Sequence, residues 1–116
     1  HTASHPILAT LSAEEARREI IAGKQRLEDI LGSTVTLFAY PNGKPEVDYR
    51  HAQAELVKQA GFRAAVSTRP AAATMATDRF HLPRFTPWKS EPTGFIVRLL
   101  RNIHRSRSNT RAAGAA

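Results

Sequence analysis

Apolar and polar positions along this chain follow two different periods. Between residues 12 and 31, Ala16, Ile20, Leu27 and Leu31 recur at helical spacing with Ile30 alongside, and Arg17, Arg18, Lys24 and Glu28 fill the other face. Ser12 followed three positions later by Glu15 has the pattern of a capping box, and Gly32 offers a left-handed stop. These signals predict a helix over 12–31. Residues 35–40, VTLFAY, are β-branched and aromatic, and predict a buried strand ending at Pro41. Pro-Asn-Gly then predicts a turn, with Gly43 free to take positive φ. A second helix is predicted near 49–60, capped by Asp48, with Ala52, Leu56, Val57 and Ala60 facing inward and Gly61 as its stop.

FRAAVS, 62–67, predicts a second strand, and 69–78 is a loop of small residues. FHLPRF, 80–85, reads as extended, with Pro83 excluding it from a central sheet position. A third helix is predicted over 92–105, capped by Thr93, with Phe95, Ile96, Leu99, Leu100 and Ile103 forming an apolar stripe. Residues 106–116 lack apolar periodicity and read as a basic disordered tail. The alternation implies an α/β fold, with parallel strands alternating with helices packed outside them. Chemistry in such folds gathers at the C-terminal ends of strands. That places Pro41-Asn42-Gly43, Thr68 and Arg69 at the candidate end.

A length of 116 residues suits one small domain, and 41% hydrophobic content suffices for a modest core. With no cysteine there is no disulfide framework and no thiolate metal site. No run approaches the ~18 to 20 apolar residues of a membrane span, and no signal-peptide pattern is present. The compartment, extracytoplasmic or cytoplasmic, stays open. The net charge of +7 is concentrated at one end. Arg98, Arg101, Arg105, Arg107 and Arg111 follow the last acid, Glu91, and the rest of the chain sets 12 basic residues against 10 acidic. Aromatic residues are not interleaved with those arginines, which argues against nucleic acid as a partner.

The segment HTASHP carries candidate chemistry. Histidines at i and i+4, His1 and His5, share one face of a helical turn and suit one divalent ion. Zinc needs at least a third protein ligand, and no HExxH glutamate is present. The alternative is a pair of exposed histidines with no role. FAYPNG is a strand and turn able to aim backbone N–H groups into a pocket, as an oxyanion hole requires. In LPR, 82–84, Arg84 can pair with an active-site carboxylate or simply be exposed. His51, His81 and His104 have no partner spacing, and His51 and His104 fall on predicted helix surfaces.

HTASHP, LSAEEARREI, FAYPNG, LVKQAGFRAAV and DRFHLPRF, in that order over residues 1 to about 88, resemble the polysaccharide deacetylase family. These are carbohydrate esterases that share the nodulation-type chitooligosaccharide deacetylase domain. The resemblance is to the C-terminal part of that domain, assigned here to 1–91. It implies part of a distorted (β/α) barrel holding one divalent ion, often zinc, with His1 and His5 as its two histidine ligands. The family's third ligand is an aspartate in an Asp-Asp motif on the first strand, and the other aspartate is the general base. Neither has a match here, and Asp29, Asp48 and Asp78 fall outside the motif.

The same resemblance makes the Asn42 N–H an oxyanion donor beside a wall shaped by Tyr40 and Pro41. It has Arg84 orient the base. The family's leaving-group acid, a histidine in Leu-x-x-His, has no match, and His81 beside LPR is the nearest candidate. The implied function is metal-dependent removal of acetyl groups from N- or O-acetylated polysaccharide or oligosaccharide. Without the aspartate pair, the isolated chain is expected to be inactive.

One alternative is a non-enzymatic saccharide-binding remnant that stacks sugars on Tyr40, Tyr49, Phe85 and Trp88. Another, a copper brace using the His1 amine as in lytic polysaccharide monooxygenases, conflicts with the alternating pattern, since those domains are β-sandwiches. Part of a barrel leaves strand edges and apolar faces uncovered, which predicts self-association or cover by a missing N-terminal segment.

Overall fold

A computed structural model describes residues 1–85 and 91–113, with 105–113 as backbone alone. Helix α1 spans Ala13–Leu31. Its capping box forms as expected: Ser12 Oγ accepts the Glu15 N–H at 3.3 Å, and the Glu15 carboxylate accepts the Ser12 N–H at 2.9 Å. Two donors that the first helical turn would otherwise leave unpaired are thereby satisfied. Gly32 closes the helix at φ 63°.

The inward stripe of α1 differs from the predicted one. Ala16, Ile20 and Gly23 are buried, whereas Leu27, Ile30 and Leu31 are 40%, 72% and 62% exposed. Helix α1 packs on α2, and in its last turns Lys24 donates to the Ala60 carbonyl at 3.0 Å while the Glu28 carboxylate accepts the Val35 N–H at 2.9 Å.

Strands β1 (Leu37–Ala39) and β2 (Ala64–Val66) pair in parallel, with Leu37 opposite Ala64 and Ala39 opposite Val66. Helix α2 (His51–Gln59) makes the crossover between them. It starts later than predicted. Asp48 is not its cap: the Asp48 carboxylate accepts the Lys44 N–H at 2.8 Å, and the Gln53 side chain accepts the Arg50 N–H at 3.0 Å. Ala54 and Val57 are its buried residues, and Ala52 is exposed. Residues 79–82 extend the sheet beyond β2. The Arg79 carbonyl accepts the Ala65 N–H, the Ala65 carbonyl accepts the Leu82 N–H, and the Leu82 carbonyl accepts the Ser67 N–H, at 2.8 to 3.0 Å. Pro83 follows the last of these bonds, in keeping with its missing donor.

Both strands are half-buried rather than buried on two faces. Phe38 and Ala65 point into the core with Leu8, Ile20, Val57 and Phe62, while Leu37 is 68% exposed. Leu37, Ala39, Ala64, Val66 and Leu82 line the opposite face, where a cavity of about 320 Å³ has His1 in its wall. Parallel sheets are normally covered on both faces.

Tyr40 and Tyr49 seal the C-terminal end of the core. Their rings stack at 3.5 Å and 2°, and the Tyr40 hydroxyl donates to the Phe80 carbonyl at 2.8 Å. Burial pushes both phenols up from their ordinary value of 10.0, Tyr40 more strongly. A raised pKa means that the unfolded chain releases these protons before the folded one. The stabilisation is therefore complete below pH about 10 and is lost as pH rises further. The urea midpoint is expected to fall between about pH 10 and pH 12, with tyrosinate absorbance rising only as the chain unfolds. A midpoint flat across that window would show that the phenols ionise freely in the folded chain.

Helix α3 spans Pro92–Ala113. Proline suits a first helical position, where its missing N–H costs nothing. The helix continues through 106–113, where the sequence predicted disorder. Apolar periodicity is absent there, but Arg107, Arg111, Ala112 and Ala113 are good helix formers and no glycine intervenes before Gly114.

Candidate metal centre and strand-end site

HTASHP is not a helical turn, so the geometry assumed from the i, i+4 spacing is replaced by another. His5 adopts a left-handed φ of 62°, and the loop closes through the Thr2 hydroxyl, which accepts the His5 N–H at 3.1 Å. The left-handed conformation costs a non-glycine residue roughly 1–2 kcal/mol, so contacts must hold it. Helix α1 supplies them. The Glu19 carboxylate accepts the Ser4 N–H and hydroxyl, both at 2.9 Å, and the Glu19 carbonyl accepts the Ala3 N–H at 3.2 Å. One turn on, the loop backbone lies directly against Gly23. A Cβ there would sit 2.8 Å from the Thr2 carbonyl carbon and 2.9 Å from the Ala3 nitrogen and the His1 oxygen.

This clamp brings the two imidazoles together, with ring centroids 4.9 Å apart and planes at 75°. His1 Nδ1 lies 2.6 Å from the Ala39 carbonyl oxygen, an acceptor only, so Nδ1 carries the proton and donates. In the neutral ring Nε2 is then the unprotonated nitrogen, the form in which histidine ligates metal. The donor set fits a zinc-like ion as two nitrogen ligands. Among the described residues, no group of three His, Cys, Asp or Glu side chains converges to complete it.

The turn after β1 is held from three sides. The Gly43 N–H donates to the Pro41 carbonyl at 2.6 Å, the Gly43 carbonyl accepts the Thr68 N–H at 2.8 Å, and the Tyr40 N–H reaches the Val66 carbonyl at 3.2 Å. A Cβ on Gly43 would press on the Tyr40 oxygen and on Thr68 at 3.1–3.2 Å, and its φ is 77°. Asn42 takes φ 55° and is exposed. No described residue accepts its backbone N–H. A backbone N–H without a protein acceptor at a fixed strand end is what an oxyanion donor requires.

Arg84 is exposed, and its N–H donates to the Arg69 carbonyl at 3.2 Å, which sets LPR beside the end of β2. Among the described residues no carboxylate lies within ion-pair distance of its guanidinium. Tyr40 and Pro41 are buried. They support the turn from behind, and the Tyr40 ring is covered by Tyr49, so neither tyrosine offers a face to a sugar. Trp88 lies outside the described residues. His81 is tied to the core: its Nδ1 is 3.2 Å from the Tyr49 hydroxyl, its Nε2 is 4.0 Å from the Asp78 carboxylate, and its ring lies over Tyr49. It does not join the His1–His5 pair. Glu19 and Gly23 were missed from the sequence. A glycine in a helix interior, three residues after the inward-facing Ile20, was the available signal for close backbone approach.

The polysaccharide deacetylase family profile matches residues 1–65, which include both histidines, the Asn42 turn and the first residues of β2. Among solved structures, the chain is similar to the Streptococcus pyogenes deacetylase PplD in complex with acetate, with a TM-score of 0.71 and 24% identity. That superposition covers 88% of this chain and 42% of the streptococcal chain, so this chain spans less than half of that protein's length. A search of curated proteins found no match. The profile match covers more than half the chain and takes in the histidine loop and the turn that the geometry singles out; the chain belongs to the polysaccharide deacetylase family.

Proposed function

We propose that this chain provides the two histidine ligands and the oxyanion wall of a metal-dependent deacetylase acting on acetylated polysaccharide. The observation that carries the reading is the His1–His5 pair, with His1 held in one tautomer by the Ala39 carbonyl at 2.6 Å. His1 and His5 would hold the ion, zinc being the best fit to two imidazoles. When bound, such an ion supplies Lewis-acid polarisation of the acetyl carbonyl and eases ionisation of an attacking water.

The chain's own residues do the rest of what can be assigned. Asn42 N–H donates to the oxygen that gains charge as the carbonyl carbon becomes tetrahedral, at a position fixed by the Gly43–Thr68 bond. Arg69 and Arg84 lie at the same strand end and are placed to orient carboxylates or sugar oxygens. The open sheet face forms part of a barrel interior. No described carboxylate reaches the histidine pair, so the third ligand and the base come from elsewhere, and the isolated chain is inactive. The saccharide-binding alternative is weakened by the burial of Tyr40 and Tyr49.

Titration of Zn²⁺ into the chain, followed by calorimetry and an acetate-release assay on chitooligosaccharide, tests the reading. The expected result is one weak site per chain, weakened at least ~10-fold by His5→Ala, with no acetate released. Zinc affinity indifferent to His5→Ala removes the metal assignment, and acetate release by the pure chain removes the assignment of base and third ligand to other residues.

A further inference from the structure

The residues between His1 and His5 converge on one side chain of helix α1. Ser4 gives both of its polar hydrogens to Glu19: its N–H donates to Oε2 and its hydroxyl to Oε1, each at 2.9 Å. The Ala3 N–H donates to the Glu19 carbonyl at 3.2 Å. One residue of the helix therefore takes three bonds from the loop that carries the two imidazoles.

Glu19 has no other evident use. It is half-buried, and among the described residues no cation lies within ion-pair distance of it. Its neighbours on the same helical face, at three and four residues either way, are Glu15, Ala16, Ala22 and Gly23, so no i, i+4 pair is available. Gly23 leaves room for the loop backbone, and Glu19 binds it one turn earlier. The loop needs such a brace. His5 is left-handed at φ 62°, and the Thr2 hydroxyl that accepts the His5 N–H ties the loop only to itself. All of these contacts lie within the chain, so the spacing of the two rings does not wait for a third ligand.

We propose that Glu19 is a positioning residue of the metal centre, which by holding Ser4 fixes His1 against His5 before any ion binds. The inference rests on the reading of His1 and His5 as ligands. It adds that their affinity is set by the hydrogen bonds of Glu19 and not by its charge.

Three variants of the full chain test it. Zinc affinity is read by competition with a chromophoric chelator, and the metal-free loop by the imidazole nitrogen chemical shifts of His1. Glu19→Ala is expected to weaken zinc about 10–100-fold, the usual range for losing an orienting contact behind a ligand. It is also expected to mix the two tautomers of metal-free His1, because a freed loop loosens the bond to the Ala39 carbonyl. Glu19→Gln is expected to keep zinc affinity within about threefold and His1 in one tautomer, since the amide oxygen still accepts the Ser4 N–H and the amide nitrogen donates to the Ser4 hydroxyl oxygen. Ser4→Ala keeps the backbone bond and loses the hydroxyl, so its loss falls between the two. Zinc binding that depends on His5 but is indifferent to Glu19→Ala overturns the inference and leaves the ligands standing. Equal losses in Glu19→Gln and Glu19→Ala overturn it too, and make Glu19 a charge acting at a distance. A lowered thermal transition in Glu19→Ala with the His1 shifts unchanged reduces Glu19 to a structural contact. Zinc binding indifferent to His5→Ala removes the ligand reading and this inference with it.

Discussion

Replacing Tyr49 with alanine is expected to cost about 3–5 kcal/mol of folding stability, the range for removing a large buried aromatic side chain. Tyr49 is fully buried and holds together three parts of the chain. Its ring covers Tyr40 at 3.5 Å, its hydroxyl meets His81 on the third extended segment, and its carbonyl accepts the Glu46 N–H at 2.9 Å. A small domain has only about 5–15 kcal/mol in total, so this single change should leave a fraction of the chains unfolded at room temperature. Tyr49→Phe separates the two contributions. It keeps the stack and loses only the hydroxyl contact, for about 0.5–1.5 kcal/mol. Urea unfolding monitored by circular dichroism measures both. A loss below about 1.5 kcal/mol for the alanine variant would show that the core closes without the stack.

The second large effect concerns Gly23→Ala, and it falls on the site rather than on the helix. In an isolated helix this change is favourable by roughly 1 kcal/mol, because glycine is the poorer helix former. Here the new methyl meets three backbone atoms of the histidine loop at 2.8–2.9 Å. Those atoms belong to peptide groups and cannot swing aside as a long side chain would. Overpacking of this kind costs about 1–3 kcal/mol. The two terms nearly cancel, so global stability should change by less than about 2 kcal/mol. Relief comes from lifting His1–Ala3 off α1, which breaks the Ala3–Glu19 bond and moves His1 away from the Ala39 carbonyl. Zinc affinity should then fall roughly 10–100-fold, the usual effect of losing an orienting contact behind a ligand. Competition against a chromophoric chelator reads the affinity, and a thermal melt of the same sample reads the stability. Unchanged affinity would show that the loop keeps its ligand geometry without resting on the helix.

Much of the framework was legible because it depends on local signals. The Ser12–Glu15 box and Gly32 delimit α1 correctly, since caps act through residues three or four apart. Pro-Asn-Gly marks the turn after β1, because glycine supplies its positive φ and asparagine tolerates the left-handed region. His1 and His5 were identified by residue type and resemblance, yet the spacing argument assumed a helix. The real loop is closed by Thr2 and clamped by Glu19 and Gly23, which lie one helical turn apart and contact it only after the chain has doubled back.

The same division separates what the chain's residues determine by themselves from what the tertiary structure decides. Element order, the parallel alternation, the concentration of charge beyond Glu91 and the family follow from the sequence alone, because each is written in short-range pattern or motif. Which apolar residues are buried does not. Leu31 and Ile20 share a helical face, yet one lies in water and the other in the core. Tyr40 and Tyr49 look like sugar platforms until the fold places each ring over the other. The burial of Asn102 on α3, between apolar neighbours that stay partly exposed, is also a tertiary fact. Helix propensity predicts a conformation, whereas only the packed structure shows which faces remain without a neighbour.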